Sequence, residues 1–182
     1  MDKKICVVGA GNWGENHIRT LHRMNCLGSV VESSKTRLDY ILKKYSGIKG
    51  YTNVSVALGK SYDGFVVATP AETHYKIAEK IINTNAHILI EKPMTLSVKQ
   101  AEHLVRLADN EKINLMVGHL LLFHPAINKI KEMIKTGIIG NLQYIYSNRL
   151  NLGKVRTEEN VFWSLAPHDI AIFQYLTDSY PS

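Results

Sequence analysis

The 182-residue sequence predicts an α/β protein: a doubly wound, mostly parallel sheet followed by the beginning of a second α+β domain. Three observations carry this. Strand-like and helix-like patterns alternate over the first two thirds of the chain. A glycine-rich turn joins the first strand to the first helix. Later strand patterns end at Thr69-Pro70 and at Glu91-Lys92-Pro93, polar clusters suited to the ligand-facing edge of such a sheet.

Each element has a local reason. Ile5-Cys6-Val7-Val8 is a short apolar run, as in a strand covered on both faces. Residues 9–14 read as a turn, and from Glu15 the chain reads as a helix with Ile18 and Leu21 on one face. A second strand spans residues 27–32. Leu38, Ile41, Leu42 and Tyr45 then repeat at helical spacing. Residues 64–69 form another buried strand that stops at Pro70, and Ile77, Ala78, Ile81 and Ile82 give the next helical stripe. Residues 86–90 are a strand. Ser97 with Gln100 reads as a capping box before a helix on Val98, Ala101, Leu104, Val105 and Ala108. Leu115-Met116-Val117 is one more strand. The right-handed crossover rule turns this order into a Rossmann-type sheet.

The pattern changes near Leu120, so residues 1–120 are expected to form one domain and 121–182 the start of another. Pro125 begins a helix carrying Ile127, Ile130, Met133 and Ile134, with Gly137 and Gly140 beyond it. Residues 142–150 read as a long strand. After a polar loop, Pro167-His168-Asp169 is expected to open a helix reaching Leu176.

Composition narrows the class. Hydrophobic residues make up 45%, ordinary for a globular core, and no apolar run approaches bilayer length. The start runs straight into a strand pattern with no leader-like segment, and Cys6 and Cys26 read as small buried hydrophobes, so a reducing, cytoplasmic setting is expected. The net charge of +6 is scattered over lysines such as Lys3, Lys43, Lys129 and Lys135. With no basic and aromatic stripe, a nucleic-acid module is the weakest reading. No membrane partner and no metal site are expected.

Gly9-Ala10-Gly11-Asn12-Trp13-Gly14 is a G-x-G-x-x-G between a buried strand and a helix, the context that gives the pattern its meaning. Gly9 permits the tight turn, Gly11 leaves room for a pyrophosphate, and Gly14 lets the helix pack on the sheet. The helix start, with Asn12 and Trp13, offers free N–H groups to phosphate. Glu32 lies about twenty residues on, where an acid binds ribose hydroxyls and repels a 2′-phosphate. NAD is therefore expected, with NADP the alternative because Ser33, Ser34, Lys35 and Arg37 follow. Thr69 and Pro70 sit at the same edge. His74 reads equally as a cofactor contact or as a capping or surface histidine.

Glu91-Lys92-Pro93 closes a strand there too. Lys92 could steady an alkoxide or pass protons, and His168 could take a proton from an alcohol, with Asp169 orienting it or capping the helix. A solvated lysine and an ordinary helix-start histidine are the alternatives.

Together, the glycine turn, Thr69-Pro70 with His74, Glu91-Lys92-Pro93, Gly118 and Gly137-x-x-Gly140 resemble the glucose–fructose oxidoreductase / inositol dehydrogenase family over essentially the whole chain. The resemblance implies an NAD-binding Rossmann domain, a C-terminal domain with a large open sheet, oxidation of a secondary alcohol on a sugar or cyclitol, and homo-oligomers. It makes Lys92 the catalytic lysine and His168 the catalytic histidine, with Glu91 beside the cofactor. The family often has an aspartate where Ser164 stands, and an aromatic, polar and arginine run where His119 to Pro125 lie. Both departures count against a polyol. Residues 118–125, 144–149 and 163–169 look closest to a subgroup acting at C3 of UDP-N-acetyl-hexosamines and their uronates. There Lys92, His119, Arg149, Arg156, Ser164 and His168 would face substrate, although either arginine reads equally as a surface salt bridge. Family members are longer than 182 residues, so a truncated chain is expected. The alternatives in function are a keto-sugar reductase using NADP and a non-catalytic NAD-binding sensor.

Overall fold

Strands β1 (Ile5–Val8), β2 (Leu27–Val31), β3 (Lys49–Tyr51), β4 (Gly64–Val67), β5 (His87–Ile90) and β6 (Leu115–Val117) form one parallel sheet in the order β3-β2-β1-β4-β5-β6. The computed structural model describes residues 3–150 and 160–180. It divides into two compact units, Met1–Gly118 and His119–Ser182.

Strand alternation assigns the two faces of the sheet. Val7, Val30 and Val66 point toward α1 (Asn12–Arg23) and α2 (Lys35–Lys44) and bury against Ile18, Leu38 and Ile41. Cys6, Val8, Phe65, Val67, Ile88 and Ile90 point the other way, onto Ala78, Ile81 and Ile82 of α4 (Ala71–Ile82) and Leu104 and Ala108 of α5 (Val98–Asn110). Because both faces are covered, the strands are apolar on both sides, which is why they read as continuous runs in sequence. Burial pushes the Cys6 thiol up to about 12, so it packs as a hydrophobe.

The register aligns the strand ends. Val8 pairs with Val31 and Val67, Val67 with Ile90, and Ile90 with Val117. The next residues, Gly9, Glu32, Ala68, Glu91 and Gly118, therefore form one row at the carboxyl edge. Each still donates its N–H to a neighbouring strand: Gly9 to Val31 O, Glu32 to Tyr51 O, Ala68 to Val8 O, Glu91 to Val67 O and Gly118 to Ile90 O, all 2.8–2.9 Å. The strand order reverses between β1 and β4, which opens a crevice at this edge.

Several local expectations are corrected. Helix α1 begins at Asn12, not Glu15, so Gly14 lies inside it. β3 and the short α3 (Val54–Leu58) were not expected: the first is three residues at the sheet border, Lys49-Gly50-Tyr51, with no apolar run. Ser97 caps α5 without a side-chain bond. Instead Thr95 Oγ1 donates to Ser97 O at 2.7 Å, closing the loop from the other side.

In the second unit, a 3-10 turn (Leu120–Phe123), α6 (Pro125–Lys135) and α7 (Val161–Thr177) pack together. Tyr175 Oη donates to Asn128 Oδ1 at 2.9 Å, and Ile172 and Leu176 are buried. Residues 142–150, read as a strand, pair with no strand among the described residues, and Tyr144 and Tyr146 stand exposed. Without a ladder partner an extended segment is not a strand. Helix α7 starts at Val161, not at Pro167. Asn160 caps it by accepting the Trp163 N–H at 3.0 Å, and Pro167 lies within the helix. Proline favours a first turn, which is why it read as the start; inside a helix it removes a ladder bond and crowds the carbonyl four residues back, yet α7 runs on through it.

Candidate functional site at the carboxyl edge

The glycine turn is shaped by contacts that a side chain would destroy. Gly9 has φ +93°, and a Cβ there would lie 2.7 Å from Ala68 O. A Cβ on Gly14 would lie 1.9 Å from Gly9 O, so α1 rests directly on the turn. Gly11 is different: a Cβ there meets nothing within 4 Å. The sheet does not need that glycine, but a ligand pressed against the helix start would.

A cavity of about 590 Å³ opens beside the turn, and its walls include Gly9, Gly11, Glu32, Thr69 and Pro70. Of the expected cofactor residues these five come together. Asn53 and Val54, from the loop between β3 and α3, also line it and were not anticipated, because β3 itself was not legible. Asn12 and Trp13 sit exposed at the start of α1 and do not line the cavity.

Glu32 closes one end. Its Oε2 accepts the Ala10 N–H at 2.9 Å and its Oε1 the Ser34 N–H at 2.9 Å, so the carboxylate ties the turn after β1 to the turn after β2. The basic residues behind it are engaged elsewhere. Arg37 donates from Nε to Ala10 O at 2.7 Å and pairs with Glu15, and Lys35 pairs with Asp39 at 2.7 Å. Lys44 joins Glu15 at 2.6 Å.

His74 is 1% exposed and braces two loops: Nδ1 lies 2.9 Å from Pro93 O and Nε2 2.8 Å from Thr69 O. It is a buried strut beneath the edge rather than part of the cavity wall. Thr73 Oγ1 lies 2.7 Å from both Thr69 Oγ1 and Pro70 O, steadying the start of α4.

Glu91 is buried, and its Oε1 lies 2.7 Å from His17 Nε2 while its Oε2 accepts the Lys92 N–H at 3.2 Å. Burial alone would raise the carboxyl, but the hydrogen bond and charge of His17, together with the N–H and charge of Lys92, outweigh it and hold it below the usual range. Lys92 is half-buried, and the Lys92–Pro93 peptide is cis.

In the second unit, His119 caps the 3-10 turn and lines a cavity of about 390 Å³ with Leu122, Ala171, Gln174 and Tyr175. Ser164 and His168 lie one turn apart on α7, both half-buried. Asp169 neither caps the helix nor stands open: Arg149 holds it in a two-pronged pair, Nε to Oδ2 at 2.6 Å and Nη2 to Oδ1 at 3.0 Å, and Ser147 Oγ donates at 2.8 Å. The Arg149 bond, opposed by desolvation, lowers the Asp169 carboxyl. Arg149 is thus the salt-bridge partner of Asp169. Arg156 lies outside the described residues. Among the described residues no metal-binding cluster forms, and no helix is long and apolar enough to cross a membrane.

Glu91, Glu15 and Asp169 all have carboxyls lowered by folding. A lowered acid binds its proton less readily in the folded state. Its stabilisation is therefore complete above the ordinary carboxylate range and is lost as pH falls through the lowered values. The urea midpoint is expected to drop as pH falls below about 4. A midpoint that held steady or rose in that range would show that these pairs do not support the fold.

These features define a nucleotide-binding α/β protein of the Rossmann class. The chain belongs to the oxidoreductase family with an NAD-binding Rossmann fold, whose model matches residues 3–119. It is 27% identical over 176 residues to a UDP-N-acetylglucosamine 3-dehydrogenase of Acidithiobacillus ferrooxidans, covering 96% of this chain and 54% of that protein. The solved structure of a UDP-N-acetylglucosamine 3-dehydrogenase from A. ferrooxidans superposes with a TM-score of 0.87 at 27% identity, covering 98% of this chain and 56% of that one. A scyllo-inositol dehydrogenase from Lactobacillus casei, solved with NAD(H) and scyllo-inositol, gives 0.83 at 17% identity, over 97% of this chain and 56% of that one, a likeness of fold alone. The chain spans about half the length of these relatives.

Proposed function

We propose that the protein binds NAD along its carboxyl edge and serves the oxidation of a secondary hydroxyl on a sugar, at C3 of a UDP-N-acetyl-hexosamine or its uronate. The observation that carries the reading is the row of strand ends. It brings Gly9, Glu32 and Ala68 to the cavity edge and Glu91, the residue before Lys92, to the same level of the sheet. The resemblance over 96% of the chain to a UDP-N-acetylglucosamine 3-dehydrogenase supports the substrate class.

The residues present fit the cofactor. The open space over Gly11 and the exposed start of α1 suit a pyrophosphate, and Glu32 at the cavity suits ribose hydroxyls. When bound, NAD supplies the hydride acceptor. In this reading residues 1–120 form the NAD-binding domain and 121–182 begin the substrate domain. The Lys92 ammonium steadies the alkoxide oxygen, and His168 takes the hydroxyl proton. His119, Ser164 and Arg156 serve the substrate, while Arg149 orders Asp169 beside His168.

The NADP alternative loses support from the same geometry, since Arg37 and Lys35 are engaged by Glu15, Ala10 and Asp39. Calorimetry on this chain should show NAD binding about tenfold or more tighter than NADP. Equal affinity, or a preference for NADP, would overturn the cofactor assignment. NAD binding by the complete protein without cofactor reduction by UDP-sugars would mean a sensor instead of an enzyme.

A further inference from the structure

Glu91 holds together three elements that are far apart in sequence. His17 lies on α1, one turn beyond Gly14, and its side chain is 26% exposed. The Glu91 side chain is 8% exposed. Held below its usual range, the carboxyl is an acceptor only, so His17 Nε2–H is the donor across the 2.7 Å contact. The other oxygen accepts the Lys92 N–H. The carboxyl lies flat against the bare Cα of Gly118: a Cβ there would sit 3.1–3.2 Å from its three atoms. Helix α1 and the ends of β5 and β6 thus meet on one carboxylate.

That arrangement leaves the carboxylate little freedom. Gly118 closes one side, the backbone of Lys92 holds a second, and the His17 ring donates from a third. A buried carboxylate that loses its donor must turn toward water or take up a proton. Either change releases the Lys92 N–H, one of the contacts that set how the lysine leaves the strand. His17 belongs to the helix whose cap, Gly11, lines the cavity, so the carboxylate joins that helix to the backbone of Lys92.

We propose that His17 is a positioning residue for Lys92: through Glu91 it locks the backbone of the lysine to the phosphate-binding helix. The proposal rests on the reading of Lys92 as the reaction lysine. Its test uses the complete protein with His17→Phe, which keeps a ring but no donor, and His17→Gln, which keeps an N–H donor. Modification of lysines by trinitrobenzenesulfonate, followed residue by residue by mass spectrometry, reports on Lys92 without any substrate.

In His17→Phe the Lys92 modification rate should rise about fivefold relative to the other lysines as the clip opens. Turnover of UDP-N-acetylglucosamine should fall about tenfold to a hundredfold in kcat, with the NAD dissociation constant changed by less than about threefold. His17→Gln should restore both. Unchanged Lys92 modification in His17→Phe overturns the proposal, as does a Gln variant as impaired as the Phe variant. Weakened NAD binding at unchanged kcat also overturns it, by making His17 a cofactor residue. Should His17→Phe not fold, His17→Ala takes its place, removing the donor without adding bulk: it must raise Lys92 modification, and failure to do so overturns the proposal. If Lys92→Ala keeps its turnover, the role of the lysine falls, while the modification result still stands or fails on its own.

Discussion

Replacing Lys92 by alanine in the complete protein is expected to lower kcat with UDP-N-acetylglucosamine about a thousandfold, the range for losing a group that stabilises a developing oxyanion or moves its proton. The NAD dissociation constant should change by less than about threefold, because a lysine acting on the transition state adds little to ground-state binding. The structure separates the two effects. The cavity wall includes Gly9, Gly11, Glu32, Thr69 and Pro70 but not Lys92, which follows a different strand, β5. The fold should persist as well, since the Lys92 N–H that clips Glu91 belongs to the backbone and survives the substitution. Steady-state kinetics and calorimetry on the same variant decide the matter. Unchanged turnover removes Lys92 from the reaction. Lost NAD binding with intact folding moves it to the cofactor site.

How much of this was legible in the sequence depends on how local the cause is. The strands on either side of β1 were readable because burial on both faces demands continuous apolar runs, and Val7-Val8, Val30-Val31 and Val66-Val67 supply them. The glycine turn was readable because its requirements lie within six residues. β3 was not: three residues at the sheet border need only a neighbour's backbone, and Lys49-Gly50-Tyr51 carries no pattern. The cavity residues Asn53 and Val54 were lost with it. The start of α7 was misplaced because Pro167 imitates a first-turn proline, while the true cap, Asn160, sits in a polar stretch that offers many candidates.

The site residues divide in the same way. The position of Glu32 at a strand end could be read from spacing, but its bonds to the N–H groups of Ala10 and Ser34 could not, since they depend on how two turns fold toward each other. His17 and Glu91 are 74 residues apart, and nothing in local spacing joins them. They meet because the strand order sets the end of β5 two strands from β1, on the same edge as the turn that leads into α1.

Gly11→Val and Gly14→Ala should break the protein in opposite ways. At Gly11 the backbone has φ −65° and ψ −167°, open to any residue, and a Cβ meets nothing. The substitution should therefore cost about 1 kcal/mol or less in folding, the loss of a glycine helix cap. Its side chain would fill the space in front of the helix start, and NAD affinity should fall about a hundredfold or more, the displacement of a pyrophosphate from its N–H donors. At Gly14 the added methyl is smaller, but it would lie 1.9 Å from Gly9 O, and neither backbone can rotate away. Helix α1 would have to lift from the sheet, uncovering Ile18 and disturbing the pairing of His17 with Glu91. A loss of about 3 kcal/mol or more follows, enough to unfold a marginal domain. Urea unfolding and calorimetry on both variants read the two outcomes separately. If Gly11→Val binds NAD normally, the pyrophosphate does not lie over this turn. If Gly14→Ala unfolds at the same urea concentration as the parent, the close seat of α1 on Gly9 does not hold the sheet together.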